Sequence, residues 1–201
     1  YLKNFLRYNN VDKVDGILAD LGVSSHDFDE AGRGFSFRFD VPMDMRMNRE
    51  TKLTAALIVN NYSEAQLISV FRNYGEIQNA GRLTASILEA RAGKELVTTG
   101  DFLTAIEKCV PKAIEKKYLA QVFQALRMEV NDETAVLGDF LKASLEVLKP
   151  GGRMVIITYH SLEDRMVKQF MAAHEGRMES LAKGGSRWIG QLPRARRVTR
   201  K

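Results

Sequence analysis

The sequence predicts an α/β fold carrying an inserted all-helical subdomain, on three observations. Val14-Asp-Gly-Ile-Leu-Ala-Asp20 and Met154 to Tyr159 are short apolar runs ending in polar residues, the pattern of strands buried on both faces of a sheet. Between them, after Arg49, a helical period persists over a stretch too long for one βα crossover. An amphipathic helix then returns to the second strand through Lys149-Pro-Gly-Gly152.

Taken in order, residues 1–10 read as a short helix with Leu2, Phe5 and Leu6 on one face, stopped by Asn9-Asn10. The first strand ends in a tight turn at Gly22. Residues 24–50 are rich in Ser, Asp, Gly, Arg and Phe without a period, and a loop of that length in a compact domain points to function. One helix runs from Lys52 to Asn61. Ser63 and Gln66 form a capping box for a helix from Glu64 to Asn73, with Gly75 just beyond it. A third runs from Ala80 to Ala92 and stops at Gly93. Asp101 caps a fourth, Phe102 to Val110, closed by Pro111, and a fifth starts near Ala113. Asn131 or Asp132 caps the next, whose Val136, Leu137, Phe140, Leu141, Leu145 and Leu148 share a face. The second strand is followed by His160 to Arg165 and then a last helix through Met171. The division is core at 1–30, loop and helical insertion at 31–118, core again at 119–175, and a basic linker or tail at 176–201.

Composition narrows the function. Cys109 is the single cysteine among 201 residues, so disulfide scaffolds and Cys-type zinc modules are excluded. No apolar run approaches the roughly 20 residues of a membrane span, and residues 1–10 lack the apolar core of a signal peptide, so a cytoplasmic protein is expected. The net charge of +5 is concentrated: residues 180–201 contain seven basic side chains and no acid. That tail, with Trp188, reads either as a nucleic-acid contact or as a solvated terminus.

Ligands of open α/β sheets bind outside the carboxyl ends of strands. There stand Asp20-Leu-Gly-Val-Ser-Ser25 and His160-Ser-Leu-Glu-Asp164. Alone, an Asp in such a place is usually a helix cap, and a His a hydrogen-bonded structural residue. The G-x-S-x-G elbow of serine hydrolases is absent, since Gly22-Val-Ser-Ser-His26 lacks its second glycine. His26, Asp27, Asp29 and Glu30 match no standard metal-ligand spacing, and no metal is expected.

Six blocks occur together and in order: Asp15-Gly-Ile-Leu-Ala-Asp-Leu-Gly-Val-Ser-Ser25, Arg33-Gly-Phe-Ser-Phe-Arg38, Asp44-Met-Arg-Met47, Leu126-Arg-Met-Glu-Val-Asn-Asp-Glu133, Leu148-Lys-Pro-Gly-Gly152 and His160-Ser-Leu-Glu-Asp-Arg165. On these the chain, from about Tyr1 to Met171, closely resembles the bacterial 16S ribosomal RNA cytosine-N4 methyltransferases, the RsmH or MraW family. The resemblance implies a partial Rossmann-like methyltransferase sheet, S-adenosyl-L-methionine as cofactor, and 16S rRNA of the small ribosomal subunit as partner. It also implies a fragment, because the family's glycine-rich cofactor loop would precede Tyr1 and its terminal segment would follow the basic linker; the fragment is expected to be inactive alone. A homodimer is left open. The alternative is a non-enzymatic RNA-binding or ribosome-assembly module.

Site residues follow from that resemblance. Asp20 is expected in the cofactor crevice, contacting the cofactor or the target amino group, with Gly22 and Asp27 as further cofactor contacts. The family usually has glutamine at the position of Asp27, and a carboxylate cannot donate as an amide does. His160, Ser161 and Asp164 are expected to face the base, with His160 orienting it or relaying a proton. Arg33, Arg38 and Arg46 are candidate RNA contacts, against pairing with nearby aspartates such as Asp40 and Asp44. Phe35 and Phe37 either stack a flipped-out base or pack the loop. Arg194, Arg196 and Arg197 are tail contacts to RNA. Arg72, Arg82, Arg91, Lys112, Lys116 and Lys117 of the insertion are read as ribosome-facing charge or as an ordinary solvated face.

Overall fold

The computed structural model describes residues 1–22, 31–180, 186–189 and 194–198. The described elements are, in order, α1 (Leu2–Tyr8), β1 (Val14–Asp20), α2 (Ala55–Asn61), α3 (Glu64–Gly75), α4 (Ala80–Gly93), α5 (Thr99–Ile106), α6 (Glu115–Asn131), α7 (Glu133–Val147), β2 (Leu148–Ile157), α8 (Ser161–Glu175), β3 (Arg177–Ser180) and β4 (Ser186–Ile189). Short 3-10 turns occupy Ala31–Arg33, Glu107–Cys109 and Lys112–Ile114. The chain is α/β, with a helical insertion between the two strands of a parallel pair. It divides into a sheet unit, Tyr1–Gly22 with Thr134–Lys201, and a helical unit, Val23–Glu133. The chain therefore leaves the helical unit later than the expected return near residue 119, because α6 packs against α3 and α2.

In the sheet unit, β1 and β2 pair in parallel with Gly16 opposite Arg153, Leu18 opposite Val155 and Asp20 opposite Ile157. Lys149-Pro-Gly-Gly152 lies inside β2 rather than ahead of it, and the strand ends at Ile157 rather than Tyr159. The register shifts between Val14 and Gly16, and this irregularity accommodates the earlier start. Lys149 Nζ reaches both Asp15 oxygens at 2.9 Å. Ile17, Ala19, Met154 and Ile156 are half-buried, whereas Leu18, Val155 and Ile157 are 71%, 53% and 43% exposed. The expectation that both faces of these strands are covered is thus corrected. Among the described residues only the face carrying Ile17, Ala19, Met154 and Ile156 is shielded.

Part of the expected basic tail is ordered pairing. β3 and β4 run antiparallel, Met178 opposite Trp188. The backbone N–H groups of Arg194 and Ala195 donate to the His174 carbonyl at the end of α8, at 2.8 and 3.1 Å. Lys183, Gly190, Pro193, Arg200 and Lys201 lie outside the described residues.

The helical unit has one continuous core, including Phe71 and Leu67 of α3, Leu83 and Ile87 of α4, Phe102 and Ile106 of α5, and Val122, Phe123 and Leu126 of α6. Its helix starts follow local chemistry. Ser63 and Gln66 form the expected capping box of α3, and Thr98 with Asp101 forms a second at α5. Asp101 is therefore the third helical residue rather than the cap. Gly75 is also reassigned: it ends α3 inside the helix, and the left-handed cap is Glu76 at φ 52°. A side chain at residue 75 would meet the Gln121 carbonyl of α6 at 2.9 Å, so this glycine serves the close approach of α3 and α6.

The Asp101 carboxyl is held at about 2, down from the ordinary 3.8, first by Lys94 Nζ at 2.6 Å and then by the Thr98 backbone N–H. A carboxylate depressed on folding contributes stability above its unfolded pKa and loses it as pH falls through the folded value. Thermal unfolding scans of Asp101→Asn are expected to show a smaller fall in midpoint than the parent between pH 4 and pH 2, roughly the window set by those values.

The block Leu126 to Glu133 turns out to be a brace. Arg127 meets Glu133 in a bidentate pair at 2.7 and 3.0 Å, and Asp132 turns the chain at φ 49°. Asn131 donates to the Met45 carbonyl at 2.8 Å and accepts from the Met47 N–H at 2.7 Å, fixing the loop in front of α2. Glu129 accepts from the Tyr62 phenol at 2.8 Å; burial, then that carboxylate, push Tyr62 up to about 12.

Candidate active site

Parallel pairing brings the carboxyl ends of β1 and β2 side by side, and the Leu21 N–H extends the ladder to the Ile157 carbonyl at 3.1 Å. Alternation along the strands puts Asp20 on the open face with Leu18, Val155 and Ile157. Tyr159, 69% exposed, follows on the same side. Its phenol donates to Asp20 Oδ1 at 2.8 Å. That hydrogen bond, then the charge of the carboxylate, keeps the Tyr159 phenol protonated above its ordinary range. Asp20 Oδ2 accepts no hydrogen bond among the described residues. Gly22 then turns the chain at φ 92°, a conformation that strains other residues, and a Cβ there would lie 3.8 Å from the Tyr159 ring.

His160 is the N-cap of α8. Its Nδ1 accepts from the Glu163 N–H at 3.4 Å, so a neutral ring carries its proton on Nε2. Nε2 lies 3.1 Å from Glu163 Oε1, in an approach too bent for a hydrogen bond. The other oxygen of Glu163 accepts the Tyr159 backbone N–H at 3.1 Å. The side chain of His160 is only 12% exposed, and its ring caps the strand-to-helix junction. Ser161 is exposed at the first helical position, and Asp164 is engaged by Lys168 at 2.6 Å one turn on. Asp20, His160, Ser161 and Asp164 thus stand at one end of one sheet.

The expected RNA contacts separate into two groups. Arg46 is committed: Nε and Nη2 grip Asp44 at 2.6 and 2.8 Å, and Nη1 donates to the Arg49 and Thr51 carbonyls at 3.0 and 2.7 Å. Arg33 donates to the Arg46 and Met47 carbonyls at 2.8 and 3.3 Å and lies 5.1 Å over the Phe35 ring. Phe35 is 5% exposed in the helical core, so its ring packs the loop and offers no face to a base. Phe37 likewise packs edge-on against Phe123, with centroids 5.5 Å apart. Arg91 caps α2 through the Val59 and Tyr62 carbonyls, Arg82 donates to the Lys108 carbonyl, and Arg197 pairs with Glu175 at 2.7 Å. By contrast, Arg38, Arg72, Lys112, Lys116, Lys117, Arg194 and Arg196 are exposed. Asp27, with Ser24, Ser25 and His26, lies outside the described residues.

Two residues of the site escaped the sequence reading, Tyr159 and Glu163. Tyr159 could have been found as the aromatic at the polar end of an apolar strand. Glu163 stands three residues past the cap, the acidic place of a capping box.

A sequence model of the MraW methylase family matches residues 1–201. The chain belongs to the MraW methylase family. Among its relatives, the ribosomal RNA small subunit methyltransferase H of Bacteroides thetaiotaomicron is 56% identical over 182 residues, which is 90% of this chain and 60% of that protein. The proteins of the same name from Flavobacterium psychrophilum and Cytophaga hutchinsonii are 53% and 52% identical, each over 85% of this chain and 59% and 57% of their own length. The chain thus spans about 60% of the length of the curated relatives it matches. In this member of the MraW methylase family, Asp20, Gly22 and Tyr159 stand together at the carboxyl end of the parallel strand pair. Among the described residues no helix is long and apolar enough to cross a membrane.

Proposed function

We propose that this chain works within a protein of its relatives' full length as part of an S-adenosyl-L-methionine-dependent methyltransferase. Its substrate is the N4 amino group of a cytidine in the decoding region of 16S rRNA, presented by the small ribosomal subunit. The observation that carries the reading is Asp20, exposed at the end of β1, with Oδ1 held by Tyr159 and Oδ2 open to a donor. The naming of the relatives as small-subunit rRNA methyltransferases supports the substrate class.

The residues present fit the cofactor. Asp20 offers acceptor lone pairs to its amine or hydroxyl donors, and Gly22 leaves the turn without a side chain. Bound there, S-adenosyl-L-methionine supplies an electrophilic sulfonium methyl group. The N4 lone pair of cytosine is delocalised into the ring, so the protein must orient the amino group and accept its hydrogen bonds while the nitrogen becomes nucleophilic. Asp20 accepts from the cofactor or from that amino group. His160 and Glu163 fix the start of α8, whose first turn carries Ser161 and Asp164. Exposed Arg38, Arg72, Lys112, Lys116 and Lys117 of the helical unit, with Arg194 and Arg196 of the tail, supply phosphate contacts.

The test is transfer of labelled methyl from S-adenosyl-L-methionine to small ribosomal subunits, using the protein at its relatives' full length. Incorporation into 16S rRNA is expected. Binding to the subunit without incorporation would instead favour the non-enzymatic assembly module.

A further inference from the structure

We infer that Tyr159 is a positioning residue for the proposed reaction, holding Asp20 in the one rotamer that leaves Oδ2 open to a ligand donor. The inference rests on the function proposed above and deepens it. A carboxylate at an exposed strand end is free to rotate, and every rotamer it visits besides the productive one weakens ligand binding. Asp20 is such a residue, and the 2.8 Å hydrogen bond from the Tyr159 phenol is the contact that selects its geometry.

Tyr159 is itself fixed from behind. The Ile157 carbonyl two residues earlier accepts the Leu21 N–H, and the Tyr159 N–H donates to Glu163, a carboxylate buried at the start of α8. The His160 ring caps the same helix through the Glu163 N–H. A buried carboxylate thus pins the backbone, the backbone aims the phenol, and the phenol sets Asp20. Burial does not account for an aromatic here, because the side chain is largely exposed; a phenylalanine would bury as little and would lack the donor. Gly22 turns the chain beside the ring at φ 92°, a conformation that favours glycine. The phenol only donates to Asp20, so the lone pairs of Oδ2 remain for donors of the cofactor or the target amine.

The test compares wild type and Tyr159→Phe in the protein at its relatives' full length, with two readouts. Calorimetry measures binding of S-adenosylhomocysteine, and three-bond couplings in NMR report the Asp20 χ1 rotamer without any ligand. Tyr159→Phe is expected to weaken S-adenosylhomocysteine about five- to tenfold, the scale of one ordinary hydrogen bond. In the free protein the Asp20 couplings are expected to move from a single rotamer toward averaged values. Affinity equal to wild type would overturn the inference, as would an Asp20 side chain that keeps its single rotamer without the phenol. Wild type that fails to bind S-adenosylhomocysteine at all would overturn the proposed function as well, which separates the two failures.

Discussion

Replacing Asp20 with alanine in the protein at its relatives' full length is expected to lower kcat for methyl transfer to small ribosomal subunits by about 100-fold or more. That is the range for removing a group placed against the reacting atoms. The fold should be nearly unaffected, because the carboxylate is exposed and, among the described residues, accepts one hydrogen bond, from an exposed tyrosine. A thermal midpoint within about 2 °C of the parent is expected for a surface change of this kind. Steady-state turnover measured beside the melting curve separates the two effects. Unchanged turnover would remove Asp20 from the site.

The second large effect is on stability. Phe102 of α5 is fully buried, and its ring meets that of Phe123 edge-on at 6.1 Å between centroids; Phe123 in turn carries Phe37 from the preceding loop. Phe102→Ala removes the fully buried ring at one end of this stack and leaves a cavity that packed helices cannot close. The expected loss is about 3–5 kcal/mol. Hydrogen exchange by mass spectrometry should show it as reduced protection of α2 to α6, the helices that share the core. A loss below about 1 kcal/mol, the size of an ordinary surface change, would show that the core is not packed as described.

Local chemistry was legible in the sequence and long-range register was not. The capping box at Ser63 and Gln66 and the stop near Gly93 depend on residues a few positions apart, and they stand as read. Gly75 was misread because a glycine after a helix usually caps it, whereas here the approach of Gln121 from α6 decides its place. Arg46 was read as an RNA contact, yet its partner Asp44 is two residues away and was already named as the competing explanation. The apolar run at β1 reads as buried on both faces, but the run alone cannot reveal what packs over each face, and Leu18 is exposed.

At the site, Asp20 and His160 were visible because both follow apolar runs, and ligands gather at strand ends. Their roles were less visible. The ring of His160 is turned into its own helix by Glu163, a contact that depends on the cap geometry. The partner of Asp20 is Tyr159, 139 positions away, and only the parallel register of β1 and β2 brings them together.

The most direct test of the central claim is the identity of the methylated nucleoside. Small ribosomal subunits treated with S-adenosyl-L-methionine and the protein at its relatives' full length are digested to nucleosides and read by mass spectrometry. The account predicts N4-methylcytidine in 16S rRNA, formed by wild type and strongly reduced with Asp20→Ala. Methylation at carbon 5 of the ring or on the ribose, or a yield indifferent to Asp20, would contradict it.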